Sequence, residues 1–336
     1  MDVSILIATY NSERYIVPCF DSINKFCAGI KYEIIVVDNA SIDGTVDLIR
    51  NRYPHVQLIE NQSNVGFGAA NNQAALMAQG EYLFLLNADT ELLDDGITRA
   101  LSYARESKAG VLGPRTFDAE GVQLRTCDKV NSVSRQIRVY LSMAFYLGHL
   151  RSFFTSGGSS VTVETTYDQP EDVSFIVGSA MLIDRSAYER YSLFDEEFFF
   201  TGEERDLCLR YRKAGLNLVY FPDWSILHYI GSQTPHSCFH ISSWIKSSLI
   251  FARNYGAVME RFFMRLSIFL FLASYCGAFI VKSIIGRSKD EMRCRARDYV
   301  RILFWYIGLI SEQRLLAKGN QESANHNRTC HNSPSA

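Results

Sequence analysis

The feature that most constrains the fold is an alternation of short apolar runs with segments of helical spacing, each run stopping on polar residues. "VSILIATY" (3–10) reads as a strand, and "SERYIVPCFDSINKF" (12–26) as a helix with Ser12 at its N-cap. "YEIIVVDNA" (32–40) is a second strand, "SIDGTVDLIRNRY" (41–53) a cap and helix, and "VQLIE" (56–60) a third strand. After "NQSNVGFG" come a helix, "AANNQAALMAQ" (69–79), and a fourth strand opening "LFLLNADTELL" (83–93). Leu83 to Leu86 are uninterrupted apolar residues, as in a strand covered on both faces. This β-α-β-α-β-α-β order with short connections predicts an α/β fold, a mostly parallel sheet with helices on both faces.

Ligands of such sheets gather at the carboxyl ends of the strands. Thr9, Tyr10 and Asn11 follow strand one, Asp38 and Asn39 end strand two, Asn61 to Gly66 follow strand three, and Asn87 and Asp89 end strand four. Each of these alone reads equally well as a cap or turn residue. All of them along one edge read as a site.

The remainder is less regular. "VLGPRTFDAEGVQL" (111–124) reads as strand, turn and strand, and 133–154 has aromatic and aliphatic residues at helical spacing. "TSGGSSVTVETTYDQPED" (155–172) reads as a polar, mobile loop, and "VSFIVGSAMLIDRSAYERY" (173–191) as strand then helix. Residues 194–229 place a carboxylate cluster before a helix stopped at Gly215, then a strand leading to His228. From 262 to 285 the chain is strongly apolar, but Arg265 and Lys282 bracket only 16 uncharged residues. That falls short of the roughly 20 a bilayer span needs. Basic flanks and the aromatic stretch 299–310 suit helices lying on the cytoplasmic membrane surface; a single span near 262–285, or a helical pair packed as ordinary core, are the alternatives. Residues 316–336 read as a disordered tail. A net charge of −2 argues against a nucleic-acid partner, and eight cysteines without CxxC pairs, behind no visible signal peptide, suggest a reducing, cytoplasmic setting.

"SILIATYNSERYI", "IIVVDNASIDGT", "NVGFGAANN", "LFLLNADTEL", "GSAMLIDR", "FDEEFFFTGEERDLCLRYRKAG" and "VYFPDWSILHYIGSQT", in this order, resemble the inverting glycosyltransferases of family 2, which have the Rossmann-like GT-A fold. The subgroup most similar is the rhamnosyltransferase-like enzymes of bacterial O-antigen and other surface polysaccharides. The resemblance covers about residues 1–240. It implies a glycosyltransferase domain there (1–110 nucleotide-binding, 111–240 acceptor-side), a helical membrane-associated extension at 241–315, and the tail.

The resemblance also implies roles. Thr9, Tyr10, Asn11 and Asp38 would hold the nucleotide, with Asp38 accepting the imino proton of uracil or thymine and Tyr10 touching the base. Asn64 and Gly66 would border the diphosphate, while Asp43 and Thr45 cap or turn the next helix. The family's Asp-x-Asp metal motif is here Asn87-Ala88-Asp89, so Asp89 would carry a Mg²⁺ or Mn²⁺ ion. His228 matches a family histidine that joins the metal or the diphosphate. The family's acidic pair reads Glu203-Glu204, followed by Arg205 and Asp206. Glu204 stands where the family has a catalytic aspartate, which leaves the base open between Glu204 and Glu203; Asp206 would start the helix or position the acceptor, Arg205 would bind the acceptor, and Arg205 and Arg210 could instead partner these carboxylates. The loop "YIGSQTPH" (229–236), with Gly231 and Ser232, would close over the donor.

The resemblance implies transfer of a sugar from a nucleotide-diphosphate donor to a glycan hydroxyl, and the membrane-facing helices imply a lipid-linked, polyprenyl-diphosphate acceptor. The subgroup resemblance makes L-rhamnose from dTDP-rhamnose the first choice, with UDP- and GDP-sugars as alternatives. A nucleotidyltransferase would be expected to carry a glycine-rich basic loop after strand one, and "TYNSERYI" is not one. A non-catalytic glycan-binding protein remains the reading if the acidic cluster does no chemistry.

Overall fold

Strand β1 (Val3–Thr9) is buried along almost its whole length, with Ile5 and Ile7 turned to one side of the sheet and Leu6 to the other. It pairs in parallel with β2 (Tyr32–Asp38), which pairs in parallel with β3 (Gln57–Glu60). The connections are the helices α1 (Glu13–Phe26) and α2 (Thr45–Arg52). After α3 (Phe67–Met77) the chain returns to the other side of β1 as β4 (Tyr82–Leu86), again parallel. The order therefore reverses between β1 and β4, the switch point at which ligands of such sheets bind.

The computed structural model describes residues 1–145, 167–229, 238–285, 289–309, 311 and 315. The described residues fall into two units, one made of 1–131 and 167–229, the other of 132–145 and the residues from 238 onward. In the first unit β5 (Thr90–Leu92), α4 (Gly96–Ser107), β6 (Val111–Phe117) and β7 (Cys127–Asp128) follow β4. In the second, α5 (Val133–Phe145) comes next in the chain. The first unit resumes with β8 (Glu171–Asp172), β9 (Phe175–Ile176), β10 (Ala180–Asp184), α6 (Arg185–Tyr191), α7 (Glu203–Lys213) and β11 (Leu218–His228).

The sheet order is β3-β2-β1-β4-β10-β6-β11-β5, with β8 on β11 and a separate β7–β9 ribbon. β10 runs antiparallel to β4 and β6, and β11 runs parallel to β6. The result is the mixed, mostly parallel α/β sheet that the sequence predicts. Helices cover both faces. Ile16 and Phe20 of α1 and Ile97 and Leu101 of α4 pack on one, around Phe84 and Trp224. Ala70 and Ala74 of α3 and Leu207 and Tyr211 of α7 pack on the other.

Two elements, β5 and α4, have no counterpart in the sequence pattern. The predicted second strand of the 111–124 hairpin reduces to one bridge, Phe117 with Gln123. Ser12 stands at the N-cap of α1 but makes no side-chain cap bond. Its Oγ accepts from Tyr10 N instead, at 3.3 Å.

The register of β4 on β1 rests on Ser4. Its Oγ accepts from Gln79 N at 3.1 Å and Gly80 N at 2.8 Å, and donates to Glu33 Oε1 at 2.6 Å. Gly80 crosses β1 so closely that a Cβ there would sit 2.4 Å from Ser4 N.

In the second unit α5 is joined by α8 (Cys238–Tyr255), α9 (Val258–Ile285) and α10 (Lys289–Tyr306). Tyr140 of α5 stacks on Trp244 at 4.3 Å between ring centres, meets Phe271 edge-on, and donates its hydroxyl to Ser248 Oγ. This aromatic face is why α5 groups with the C-terminal helices. Residues 258–281 of α9 are long and apolar enough to cross a membrane by length and composition. The loop segment 155–166, the loop 230–236 with Gly231 and Ser232, and the tail 316–336 lie outside the described residues.

Substituting Gly80→Ala forces backbone against backbone and is expected to lower the unfolding free energy by about 1–3 kcal/mol. Urea unfolding followed by tryptophan fluorescence measures this, and an unchanged midpoint would contradict the tight crossing.

Candidate active site

The floor of the site is a pair of loops stitched together by side chains. Thr9 Oγ1 donates to Asp38 Oδ1 at 2.8 Å, Ser41 Oγ donates to the same oxygen at 2.6 Å, and Ser41 N donates to Asp38 Oδ2 at 2.8 Å. Asn11, in the left-handed region at φ 51°, receives Ile42 N on its Oδ1 and donates its own N–H to Ser41 Oγ. Asp43 Oδ2 accepts from Glu13 N at the start of α1, and Glu13 Oε2 accepts from Gly44 N at the start of α2. Each helix N-terminus is thus capped by a carboxylate from the other loop. Asp43 also accepts from Thr45, in the capping role the sequence assigns to this pair.

This arrangement brings Thr9, Asn11 and Asp38 together but turns the Asp38 carboxylate inward. Its three donors come from the fold and it is buried. Tyr10 and Asn11 are the exposed residues of the group. After β3, Asn64 Oδ1 accepts from Gly66 N, and Asn39 Nδ2 donates to Gly66 O. Gly66 has φ 95°, and a Cβ there would lie 2.5 Å from Phe199 O. The backbone that approaches Gly66 is therefore that of Phe199.

Across the switch point, Asn87 N donates to Ser179 O at 2.9 Å, and Thr90 Oγ1 donates to Asn87 O at 2.6 Å. β5 then pairs antiparallel with the end of β11, setting Thr90 opposite His228. This pairing carries His228 Nε2 to 3.3 Å from Asp89 Oδ1, while Tyr229 N donates to Asp89 O. Tyr229 also donates its hydroxyl to Glu91 Oε1. Two residues before Asp89, Asn87 Oδ1 is buried and has no hydrogen-bond partner. A carboxylate and an imidazole 3.3 Å apart, with an orphaned acceptor two residues along the chain, are donors that could hold a divalent cation. No group of three or more His, Cys, Asp or Glu side chains forms among the described residues.

The acidic cluster opens α7. Thr201 has φ 65°, an uncommon value for a β-branched residue, and it aims the start of the helix. Glu203 is only 4% exposed and its Oε2 has no partner. Burial, then the neighbouring Glu204, push its pKa well above the usual glutamate range. Glu204 receives Gly202 N on Oε2 at 3.0 Å and keeps partial access to solvent. Burial raises its pKa as well, opposed by Arg205 and by backbone N–H donors. A Cβ on Gly178 would lie 3.4 Å from Glu204 Cβ, one residue from the Ser179 carbonyl that holds Asn87. The acidic cluster and the Asn87–Asp89 turn are thus joined through residues 178–179.

The other two predicted residues face elsewhere. The Arg205 guanidinium lies 4.4 Å from the Phe175 ring centre, and its carbonyl accepts from Asn131 Nδ2. Asp206 is buried and paired with Arg210 at 2.6 Å. Arg210 in turn donates to the carbonyls of Tyr191 and Leu193, so Asp206 anchors α7 to that turn. Ser41, Gly178, Ser179 and Phe199 complete the site without any periodic signal; they are loop or turn residues brought in by tertiary pairing.

Glu203 makes a pH prediction. Its folded pKa lies above the unfolded value, so the folded state holds the proton more tightly and loses stability as pH rises past the usual glutamate range. Glu203→Gln is expected to raise the melting temperature more at about pH 8 than at about pH 5. Calorimetric scans measure it, and an equal shift at both would contradict the burial of an ionisable acid.

Comparison with known proteins agrees with this geometry. Residues 4–192 match the family model described as Glycosyl transferase family 2. The chain is 31% identical over 233 residues to the N-acetylglucosaminyl-diphospho-decaprenol L-rhamnosyltransferase of Mycobacterium tuberculosis, covering 65% of this chain and 73% of that one. It is 27% identical over 236 residues to Rhamnosyltransferase WbbL of Escherichia coli, covering 68% and 83%. Among solved structures, S. aureus TarS 1-349 in complex with UDP superposes with a TM-score of 0.50 at 14% identity, over 94% of this chain and 83% of that one, a likeness of fold. The strand-end edge, the acidic cluster and the family match over more than half the chain give one conclusion: this chain belongs to glycosyl transferase family 2 and is a glycosyltransferase.

Proposed function

We propose that the protein is an inverting transferase that moves L-rhamnose from dTDP-rhamnose to a hydroxyl of a polyprenyl-diphosphate-linked glycan in surface-polysaccharide synthesis. The observation that carries the reading is the joining of two groups on one edge: the Asp89–His228 pair with the orphaned Asn87 oxygen, and the acidic start of α7. The donor and acceptor choices are supported by the printed names of the mycobacterial and E. coli relatives, which concern rhamnosyl transfer and, in the first, a decaprenyl-diphosphate acceptor.

The residues fit a bound Mg²⁺ or Mn²⁺ held by Asp89 and His228, with the unpartnered Asn87 side-chain oxygen two residues before Asp89. When bound, such an ion would offset the charge of the departing diphosphate. The chain's own contribution lies opposite. In-line displacement needs a base on the face away from the leaving group, as in inverting hydrolysis. Glu204 suits that role better than Glu203. It is less buried than Glu203, a backbone N–H orients it, and burial raises its pKa above the usual glutamate value. Glu203, buried beside it, is pushed up further by burial and by the charge of Glu204, and so holds its own proton the more tightly of the two. The stitched Thr9–Asp38–Ser41 floor fixes the exposed Tyr10 at the mouth, against which a nucleobase can lie. Catalysis on a membrane-borne acceptor places the enzyme on the cytoplasmic face of the membrane.

Glu204→Gln is expected to lower turnover of dTDP-rhamnose with Mn²⁺ and a polyprenyl-diphosphate acceptor by about 10²–10⁴-fold, and Glu203→Gln by less. Product mass across dTDP-, UDP- and GDP-sugars reads the donor. Full activity of Glu204→Gln, or no transfer from any donor, would refute the assignment.

A further inference from the structure

Helix α9 is apolar on two opposite sides. One side carries Met264, Ser267, Ile268, Phe271 and Leu272, all buried in the second unit. The other carries Met259, Phe262, Leu266, Phe269, Ala273, Gly277 and Ile280, spaced by three or four residues along one helical stripe. Phe262 is 58% exposed, and Leu266 and Phe269 are each 41% exposed. A Cβ on Gly277 would meet nothing within 4 Å. A helix packed on a water-soluble unit normally turns charged and polar residues outward. This one turns out phenylalanine, leucine, methionine and isoleucine over about 32 Å, at 1.5 Å per residue.

α10 extends the same surface. It runs antiparallel to α9: Tyr299 stacks on Tyr275, and Tyr306 Oη donates to Arg265 O at 2.8 Å. Its exposed Phe304, and the exposed Ile307 just past its end, thus lie towards the first half of the stripe. The charge along one border is basic, from the exposed Arg261 and Arg265. The acidic residue of this stretch, Glu260, is tied to Ser134 Oγ and Ala257 N.

We propose that this stripe is an interfacial membrane anchor: α9 lies along a bilayer surface bearing anionic headgroups, with its outer face in the acyl boundary. The geometry favours this over a span. The inner side of α9 is packed on α5 and α10, and α10 carries Arg293, Arg295, Arg297 and Arg301. Carrying that helix across hydrocarbon with α9 would bury arginines at high cost, whereas lying flat leaves them in water or among headgroups. A bilayer also suits the surface better than a second protein. The stripe is long, straight and without polar groups to specify a partner, and its border matches anionic lipid in charge. The inference deepens the membrane part of the proposed function and rests on it, but needs no particular sugar.

The test is co-sedimentation of the full-length protein with phosphatidylcholine vesicles, with and without phosphatidylglycerol, in the absence of donor and acceptor. The expected result is binding that needs phosphatidylglycerol, weakens with salt, and is reversed by alkaline carbonate. The double variant Leu266→Glu, Phe269→Glu should bind at least about tenfold more weakly with an unchanged thermal melt, because both side chains are exposed. Wild-type binding by the variant overturns the proposal. So does resistance to carbonate, which indicates a span, and so does self-association through the stripe without vesicle binding. Failure here leaves donor turnover intact, so it is distinguishable from failure of the transferase reading.

Discussion

The site depends on how β4 is held against β1. A buried serine, Ser4, collects the two N–H groups that open the turn before β4, and a glycine lets the two backbones cross. This crossing sets the parallel register in which Leu6 faces Leu85, so both strands deliver their polar ends to the same edge. A one-residue slip would exchange the faces of every β4 side chain and turn Phe84 away from Trp224. The crossing is therefore a condition for catalysis as well as for stability.

On that edge the two sides are built differently. The side after β1 and β2 is rigid by saturation: Thr9, Asn11, Asp38 and Ser41 satisfy one another, and Asp43 and Glu13 exchange caps. The side at residues 87–89 and 203–204 is left incomplete, with buried oxygens of Asn87 and Glu203 lacking partners. Unsatisfied buried acceptors cost free energy, and such defects concentrate where a ligand supplies the missing interaction. The contrast between a saturated platform and an unsaturated reaction zone is the physical argument for placing chemistry near residues 87–89 and 203–204.

Much of this was legible in the residues. Apolar runs that stop on Asp or Asn located the strand ends, because a doubly covered strand shows its burial directly in composition. The acidic run 203–206 marked the start of α7. What could not be read was direction. Nothing local shows that Asp206 turns to Arg210, that Asp38 spends its oxygens on Thr9 and Ser41, or that Gly66 makes room for Phe199. The meeting of His228 with Asp89 needs the antiparallel pairing of β5 with β11, a contact across most of the domain involving a three-residue strand too short for a period. The grouping of α5 with the C-terminal helices likewise rests on tertiary contacts, those of Tyr140 with Trp244, Phe271 and Ser248 among them.

The central claim is that the ends of β4 and β11 together hold the charged part of the donor. Anomalous scattering at the manganese edge, from crystals grown with Mn²⁺ and a nucleoside diphosphate, tests it most directly. The account predicts a single strong peak about 2 Å from the Asp89 carboxylate and His228 Nε2. A peak held by other residues, or no peak at this edge with the nucleotide bound, would contradict it.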